Sequence, residues 1–368
     1  MKNIYRKLIN ALLIVGSVIV VMGILEGVLR LYHTKTGEPV INPPTPYRYI
    51  AEYGGSRLIP GADVMFRFES TNRFVRVRVN ELGFRGPPLP EKSDDHRRLL
   101  ILGDSVAFGY GVHESRIFAA ILDSVFSEMY PPWRVLNAGV EDIGIRDERM
   151  ILQDVADEIE PRFILLCFFP NDSRPPVGFR GEYIVEDPVD RWFRNHPGLL
   201  HSSHLLRFLH FRYRLLLTRF ALYKSPVPAR FRWVDSWNAG KWKTDERDLR
   251  LLIEEARFDW GAAWYSESWI IVEEELMRIQ SICSEMSADL MVAYFPVNIQ
   301  IEGQFTPTEP QQRLESICRI VDVPFVDLTP ALHKHTGMFL DQCHLTVDGH
   351  AVVASKLIEY IRKEIAEK

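Results

Sequence analysis

Residues 99–111 read LLILGDSVAFGYG. An apolar run passes directly into Gly103-Asp104-Ser105 and then into small residues, the pattern of a buried strand that ends on a serine. In open α/β folds the carboxyl edge of a parallel sheet is where ligands and reacting groups gather. The stretch therefore predicts a strand over Leu99–Leu102 and makes Ser105 a candidate nucleophile at its carboxyl edge. Four further short apolar segments read the same way, at Arg134–Asn137, Phe163–Phe169, Leu290–Phe295 and Pro324–Asp327. Helical spacing fills the intervals at Ile117–Met129, Ile145–Glu158, Ile270–Met286 and Gln311–Val321, and Val347–Ile365 closes the chain. Short buried strands alternating with amphipathic helices predict a three-layer α/β/α fold around a mostly parallel, five-stranded sheet.

The chain has 368 residues, 46% hydrophobic and 25% charged, enough for one large α/β domain and a sizeable extra element. A formal net charge of −5 gives no reason to expect a nucleic-acid partner. The four cysteines show neither CxxC nor Cys/His spacing, so no disulfide framework and no zinc site is expected. No P-loop or dinucleotide fingerprint follows the first strand, and no cofactor is expected.

Three regions depart from the alternation. Leu8–Leu25 is apolar apart from Asn10 and Ser17 and is preceded by Lys2, Arg6 and Lys7. A run of about 18 apolar residues is long enough to span a bilayer, and its cationic flank should stay cytoplasmic. Residues 1–33 are thus read as an uncleaved membrane anchor, with the remainder extracytoplasmic. Residues 34–94 read as a Pro- and Gly-rich tether up to about residue 62, followed by a β-hairpin pattern around Ser70-Thr71-Asn72. The catalytic domain is placed at 95–368, interrupted by a long insertion at about 173–260. From Arg191 to Val234 that insertion carries eight arginines and one lysine but no Asp or Glu. Three readings stand for it: a helical cap, a helix lying on anionic lipid, and a groove for an anionic polymer.

A serine hydroxyl needs a base to act as a nucleophile. FLDQCHLTVDGH supplies one, because Asp341 and His344 are spaced so that one tight turn presents both side chains on the same side. The carboxylate then orients one ring nitrogen while the other faces the serine. Two more predicted strand ends on that edge are polar. NAGVEDIG carries Asn137, Gly139 and Gly144, and FFPNDS carries Asn171 and Asp172; backbone N–H groups and an amide there are candidate donors to an oxyanion. A cation site drawn from Asp104, Asp172, Asp341 and His344 would leave Ser105 and Asn171 unexplained, and no metal is expected.

This ordered set resembles the SGNH (GDSL-type) hydrolases. Gly103-Asp104-Ser105 matches their first block, Asn171-Asp172 their third and Asp341-x-x-His344 their last, across residues 95–366. The resemblance implies Ser105 as nucleophile, His344 as general base and acid, and Asp341 as its orienter. It also implies an oxyanion hole from Ser105, a block-two glycine and Asn171. In block two Asp142 stands where some members have glycine, and Gly144 is assigned as the donor. In block three Phe169-Pro170 replaces the usual approach to the Asn. The implied function is an esterase or deacetylase acting on O-acyl, above all O-acetyl, esters of a cell-surface carbohydrate. The alternatives are an O-acyltransferase with the same triad and an inactive, membrane-anchored binding protein. The expected partners are an acyl-ester or carbohydrate substrate, the bilayer through the N-terminal helix, and an anionic polymer or lipid headgroups at the basic insertion.

Overall fold

The computed structural model describes residues 2–36, 46–50, 55–68, 73–88, 97–174, 192, 203–206, 208–209, 212–213 and 233–366. The chain forms two compact units, one from residues 1–45, 65–67 and 186–225, the other from 46–64, 68–185 and 226–368. In the first, α1 (Lys2–Thr36) contains the apolar stretch Tyr5–Tyr32, with a mean hydropathy of 2.7. That length and composition suffice to cross a membrane. Within this unit Glu26 accepts from the Ser203 hydroxyl at 2.9 Å and from the Leu205 N–H at 2.7 Å, which satisfies the start of a helical turn at 204–206. Most of the basic interval 191–232, and with it the three readings of that interval, lies outside the described residues.

The second unit is built on one parallel sheet of β5 (Arg97–Gly103), β6 (Trp133–Asn137), β7 (Phe163–Phe168), β8 (Asp289–Tyr294) and β9 (Phe325–Asp327), in the order β6-β5-β7-β8-β9. All five fall where the apolar runs predict them. β7 is buried along its whole length, which is why its sequence, FILLCF, shows no alternation. Side chains of alternate residues face opposite layers. Leu99, Ile101, Phe163 and Leu165 share one core with Phe118 and Leu122 of α3 (Phe118–Phe126), and with Val353 and Leu357 of α11 (Val347–Ala366). The other face is covered by α4 (Ile145–Ile159) and α7 (Ser268–Glu285), which pack against each other. The other helices of this unit among the described residues are α2 (Ser105–Phe108), α5 (Val234–Ala239), α6 (Glu246–Glu255), α8 (Ile299–Glu302), α9 (Glu309–Ile320) and α10 (Thr329–Leu332). The chain reverses direction across the sheet between β5 and β7, so the carboxyl ends of these two strands flank a topological switch point.

Two features differ from the sequence reading. The interval read as a tether contains an antiparallel pair, β1 (Tyr47–Ile50) and β2 (Gly55–Leu58), registered from Tyr47↔Leu58 to Ile50↔Gly55. Strands of four residues are too short to show a period, so composition alone reads them as loop. The hairpin expected next is present as β3 (Asp63–Phe68) and β4 (Arg73–Arg78), although its turn at 70–72 lies outside the described residues. The end of the insertion is also ordered: Trp233, Trp242 and Trp260 are buried in the core that α3 and α11 share.

The loop after β6 approaches α2 so closely that only glycine fits at 139. A Cβ there would lie 2.4 Å from the Phe108 nitrogen and 2.7 Å from the Ala107 carbonyl carbon. Gly139→Ala should therefore destabilise the domain by about 2 kcal/mol or more, seen as a lower melting temperature in detergent. An unchanged melting temperature would contradict this packing.

Candidate active site

β5 ends in a position that excludes any side chain. Gly103 has φ +153°, and a Cβ on it would sit 2.6 Å from the Ala107 Cβ and 2.9 Å from the Cys167 carbonyl oxygen. The chain then turns at once into α2, whose first residue is Ser105. Asp104 caps this helix, its Oδ1 accepting from the Val106 N–H at 2.8 Å. The serine is therefore fixed by the strand end behind it and the cap beside it.

The partner turn is organised by one carboxylate. Asp341 Oδ1 accepts from the Cys343 N–H at 3.0 Å and the His344 N–H at 2.9 Å, an arrangement in which an Asp side chain holds its own following turn. Its Oδ2 lies 2.7 Å from His344 Nδ1, and His344 Nε2 lies 2.9 Å from Ser105 Oγ. Residues 239 positions apart in the chain thus form one continuous hydrogen-bonded line. Tyr110 stacks on the imidazole, with centroids 3.9 Å apart and planes at 15°.

The electrostatics follow from this layout. Burial would raise Asp341, but His344 and the two backbone N–H donors hold it well below the usual carboxylate range. Burial would lower His344, yet Asp341, Asp104 and Glu141 together carry it above the ordinary histidine value. Glu141 is pushed up to about 7 by burial, against the opposing pull of a hydrogen bond from Tyr47 and the charges of His344 and Arg85. Three buried carboxyls, Asp104, Glu148 and Asp172, are raised by burial, and charge repulsion adds to the shift of Glu148 and Asp172. The Asp341, Cys343 and His344 ligand atoms lie within 4.8 Å of one another and are the one such group among the described residues. Both carboxylate oxygens already accept hydrogen bonds, and burial pushes the Cys343 thiol up, which keeps it protonated and a poor ligand.

The remaining site residues line the same edge. Asn171 lies in the 3-10 turn Pro170–Ser173 directly after β7 and is buried, with its side chain beside Asp104. Phe169-Pro170 forms the entry to this turn, closed by the Phe169 N–H donating to Asp172 Oδ2 at 2.6 Å. Gly144 caps α4, its carbonyl accepting from the Asp147 N–H at 2.8 Å. The Ser105 N–H has no hydrogen-bond partner among the described residues, whereas the Gly144 N–H, assigned from the sequence as an oxyanion donor, is engaged by the Asp147 carboxylate three residues on in α4. The Gly139 N–H is taken by Asn137 Oδ1 at 3.0 Å, while Asn137 Nδ2 donates to the Ala107 carbonyl at 2.9 Å. The left-handed residue of this loop is Asp142, with φ 59°, rather than Gly144. Its carboxylate meets Arg174 at 3.0 Å.

Sequence reasoning missed Tyr47, Tyr110, Glu141 and Glu148. Glu148 left a trace, since it occupies a buried position of α4 between Ile145 and Ile151. Glu141 is one of two adjacent acids, with Asp142, in a loop otherwise of small and apolar residues after Asn137, and Tyr110 lies between Gly109 and Gly111. Tyr47 left no signal.

No protein-family model matches the sequence, and no curated protein matches it. Among solved structures the chain is similar to TesA, at 11% identity over 72% of this chain and 97% of that one, with a TM-score of 0.39. It is also similar to a catalytic mutant of Axe2, an acetylxylan esterase from Geobacillus stearothermophilus, at 13% identity over 72% and 93%, with a TM-score of 0.39. A third is the acetyl xylan esterase AlAXEase, at 10% identity over 72% and 99%, with a TM-score of 0.40.

A carboxyl whose pKa rises on folding from 4.5 to about 7 loses stability as the pH climbs through that window. Below it the group is protonated whether folded or unfolded, and above it the group is ionised in both. Glu141→Gln should therefore gain melting temperature relative to the unmodified chain as pH rises from 4.5 to about 7. A difference that is flat with pH would contradict the burial of this carboxyl.

Proposed function

We propose that the chain is a serine-dependent ester hydrolase of the SGNH type, acting through an acyl-Ser105 intermediate on O-acetyl esters of a carbohydrate. The observation that carries this reading is the unbroken line from Asp341 through His344 to Ser105, with separations of 2.7 and 2.9 Å. Both lie within the reach a general base and its nucleophile need.

In the mechanism that follows, His344 Nε2 takes the proton of Ser105 as Oγ attacks the ester carbonyl carbon. Asp341 holds Nδ1–H and stabilises the imidazolium that forms. The carbonyl oxygen becomes an oxyanion, met by the Ser105 N–H and the Asn171 carboxamide. The departing alkoxide takes the proton from Nε2, leaving acyl-Ser105. Water, deprotonated by His344, then releases the acid and restores the serine. A sugar hydroxyl in place of that water would make the same steps an O-acyl transfer.

The charge of Lys2, Arg6 and Lys7 before the apolar stretch favours retention of that end in the cytoplasm, with α1 as a single anchor and the catalytic domain on the other side. A reporter fused after Lys368 should be active outside the cytoplasm; activity inside would reverse the orientation.

The chain in detergent should release acetate from a small activated acetyl ester. Ser105→Ala should lower kcat/KM by ~10³-fold or more, as loss of a nucleophile does. A serine-directed phosphonate should label Ser105 and no other serine, read by mass spectrometry. Equal turnover in the Ser105→Ala protein would remove the serine mechanism. Acetate released to water, compared with acetate transferred to an added glycan, separates hydrolysis from acyl transfer. The rate should rise with pH through a pKa above the ordinary histidine value, because the reacting form of His344 is the neutral one and its pKa is raised. Asp341→Asn should move that limb to lower pH and slow the reaction by ~10³-fold or more.

A further inference from the structure

The imidazole of His344 is held on two sides by different parts of the chain. Asp341 fixes Nδ1, and the face of the ring lies against Tyr110. Tyr110 belongs to a loop that has no reason of its own to hold a ring at one angle. It follows α2 and is flanked by two left-handed glycines, Gly109 at φ 85° and Gly111 at φ 74°. Such residues give the backbone freedom rather than direction.

The constraint comes from the segment that precedes the sheet. Arg85, on the segment after β4, is buried and reaches into the loop with both ends of its fork. Nη1 donates to the Phe108 carbonyl at 2.6 Å and the Gly109 carbonyl at 2.7 Å, and Nη2 donates to the Val112 carbonyl at 2.6 Å. The three carbonyls bracket Tyr110 from before and after. The guanidinium also lies 4.3 Å over the Phe108 ring. Arg85 is itself anchored, because its N–H donates to the Asn137 carbonyl at 3.0 Å. Asn80 Oδ1 ties the preceding turn by accepting from the Phe84 N–H at 2.9 Å. Phe68, fully buried at the end of β3, places its ring against Tyr110 at 4.5 Å and 72°, an edge-to-face contact. A buried guanidinium is costly unless its donors are met, and here Nη1 and Nη2 are met by the backbone of the loop that carries the stacking ring, while Nε has no partner among the described residues.

We propose that Arg85 and Phe68 position the imidazole of His344 for proton transfer by holding Tyr110 flat against its face. On this reading the segment before the sheet is part of the catalytic apparatus and not a spacer. Tyr110 meets only the face of the imidazole and exchanges no proton with it, and Arg85 and Phe68 act through Tyr110, so all three are positioning residues, and the proposal rests on His344 acting as the general base. Loss of the stack frees the ring to rotate about its bond to the chain, and the fraction of enzyme with Nε2 aimed at Ser105 falls. Substrate binding is untouched, so kcat changes and KM does not.

The test uses the full chain in detergent with a small activated acetyl ester, and the melting temperature of each variant reports folding. Tyr110→Leu should lower kcat by about tenfold with KM within about twofold, while Tyr110→Phe, which keeps the ring, should stay within about twofold in both. Arg85→Lys keeps the charge but loses the fork and should lower kcat in the same manner. Because Arg85 acts through Tyr110, the double variant Arg85→Lys with Tyr110→Leu should lose no more than Tyr110→Leu alone. The ring protons of His344, identified by their absence in His344→Asn, should show an upfield ring-current shift in NMR. That shift should persist in Tyr110→Phe and vanish in Tyr110→Leu. Unchanged kcat in a folded Tyr110→Leu protein, equal loss in Tyr110→Phe, or multiplicative losses in the double variant would each overturn the proposal. If Arg85→Lys fails to fold, the two Tyr110 variants and the ring-current shift decide it. Turnover that survives Ser105→Ala overturns the serine reading itself and this inference with it, whereas loss in Ser105→Ala with no effect at Tyr110 overturns this inference alone.

Discussion

The hydrogen bond between Ser105 Oγ and His344 Nε2, 2.9 Å long, is the contact on which the site depends. It joins two turns 239 residues apart, and neither turn contains the information to find the other. What brings them together is the sheet. β5 delivers Ser105 at its carboxyl end with no residue to spare, because Gly103 packs against Cys167 of β7 where no Cβ fits. The Asp341 turn delivers His344 to the same edge just before α11, which is packed on α3. The position of the serine is thus a consequence of close packing between strands, and the position of the histidine is a consequence of how one helix layer docks.

Around that bond the carboxyl groups divide by environment. Asp341 accepts from His344 and two backbone N–H groups, and these interactions keep it ionised. Asp104, Glu148 and Asp172 lie buried at the switch point, where burial favours the protonated form. Among the described residues Glu148 has no hydrogen-bond partner for either carboxyl oxygen, so the cost of ionising it in place is high. The same chemical group is therefore held as a charge at one place and has its ionisation opposed by burial at another. The difference lies in the donors that each can reach.

The segment before the sheet gives the site a wall that the α/β layers do not supply. Aromatic contacts run from Tyr47 to Phe108 at 5.8 Å, from Phe108 to Phe68 at 6.4 Å, and from Phe68 to Tyr110 at 4.5 Å, ending on the imidazole. Tyr47 also donates to Glu141, which sits within the electrostatic reach of His344. Tyr47 and Phe68 come from short strands, and their order derives from packing against Phe108 of α2 and Tyr110 of the loop beyond it.

The sequence by itself determined the five strands, the helices between them and the apolar N-terminal helix, because apolar periodicity and run length are local properties. It also named Ser105, Asn171, Asp341 and His344, because polar residues at predicted strand ends are visible without knowing the partner. Only the tertiary structure decided that Tyr47–Ile50 and Gly55–Leu58 pair, that the backbone reversal of the loop after β6 falls on Asp142 and not Gly144, that Tyr110 and Glu141 lie near the histidine, and that Arg85 holds the Tyr110 loop. Strands of four residues carry no period, a left-handed φ at an Asp leaves no mark in the sequence, and an arginine becomes a clamp only when folding removes it from water beside three carbonyls. Local patterns report which face of an element is buried, but which distant residue lies against that face is set by packing.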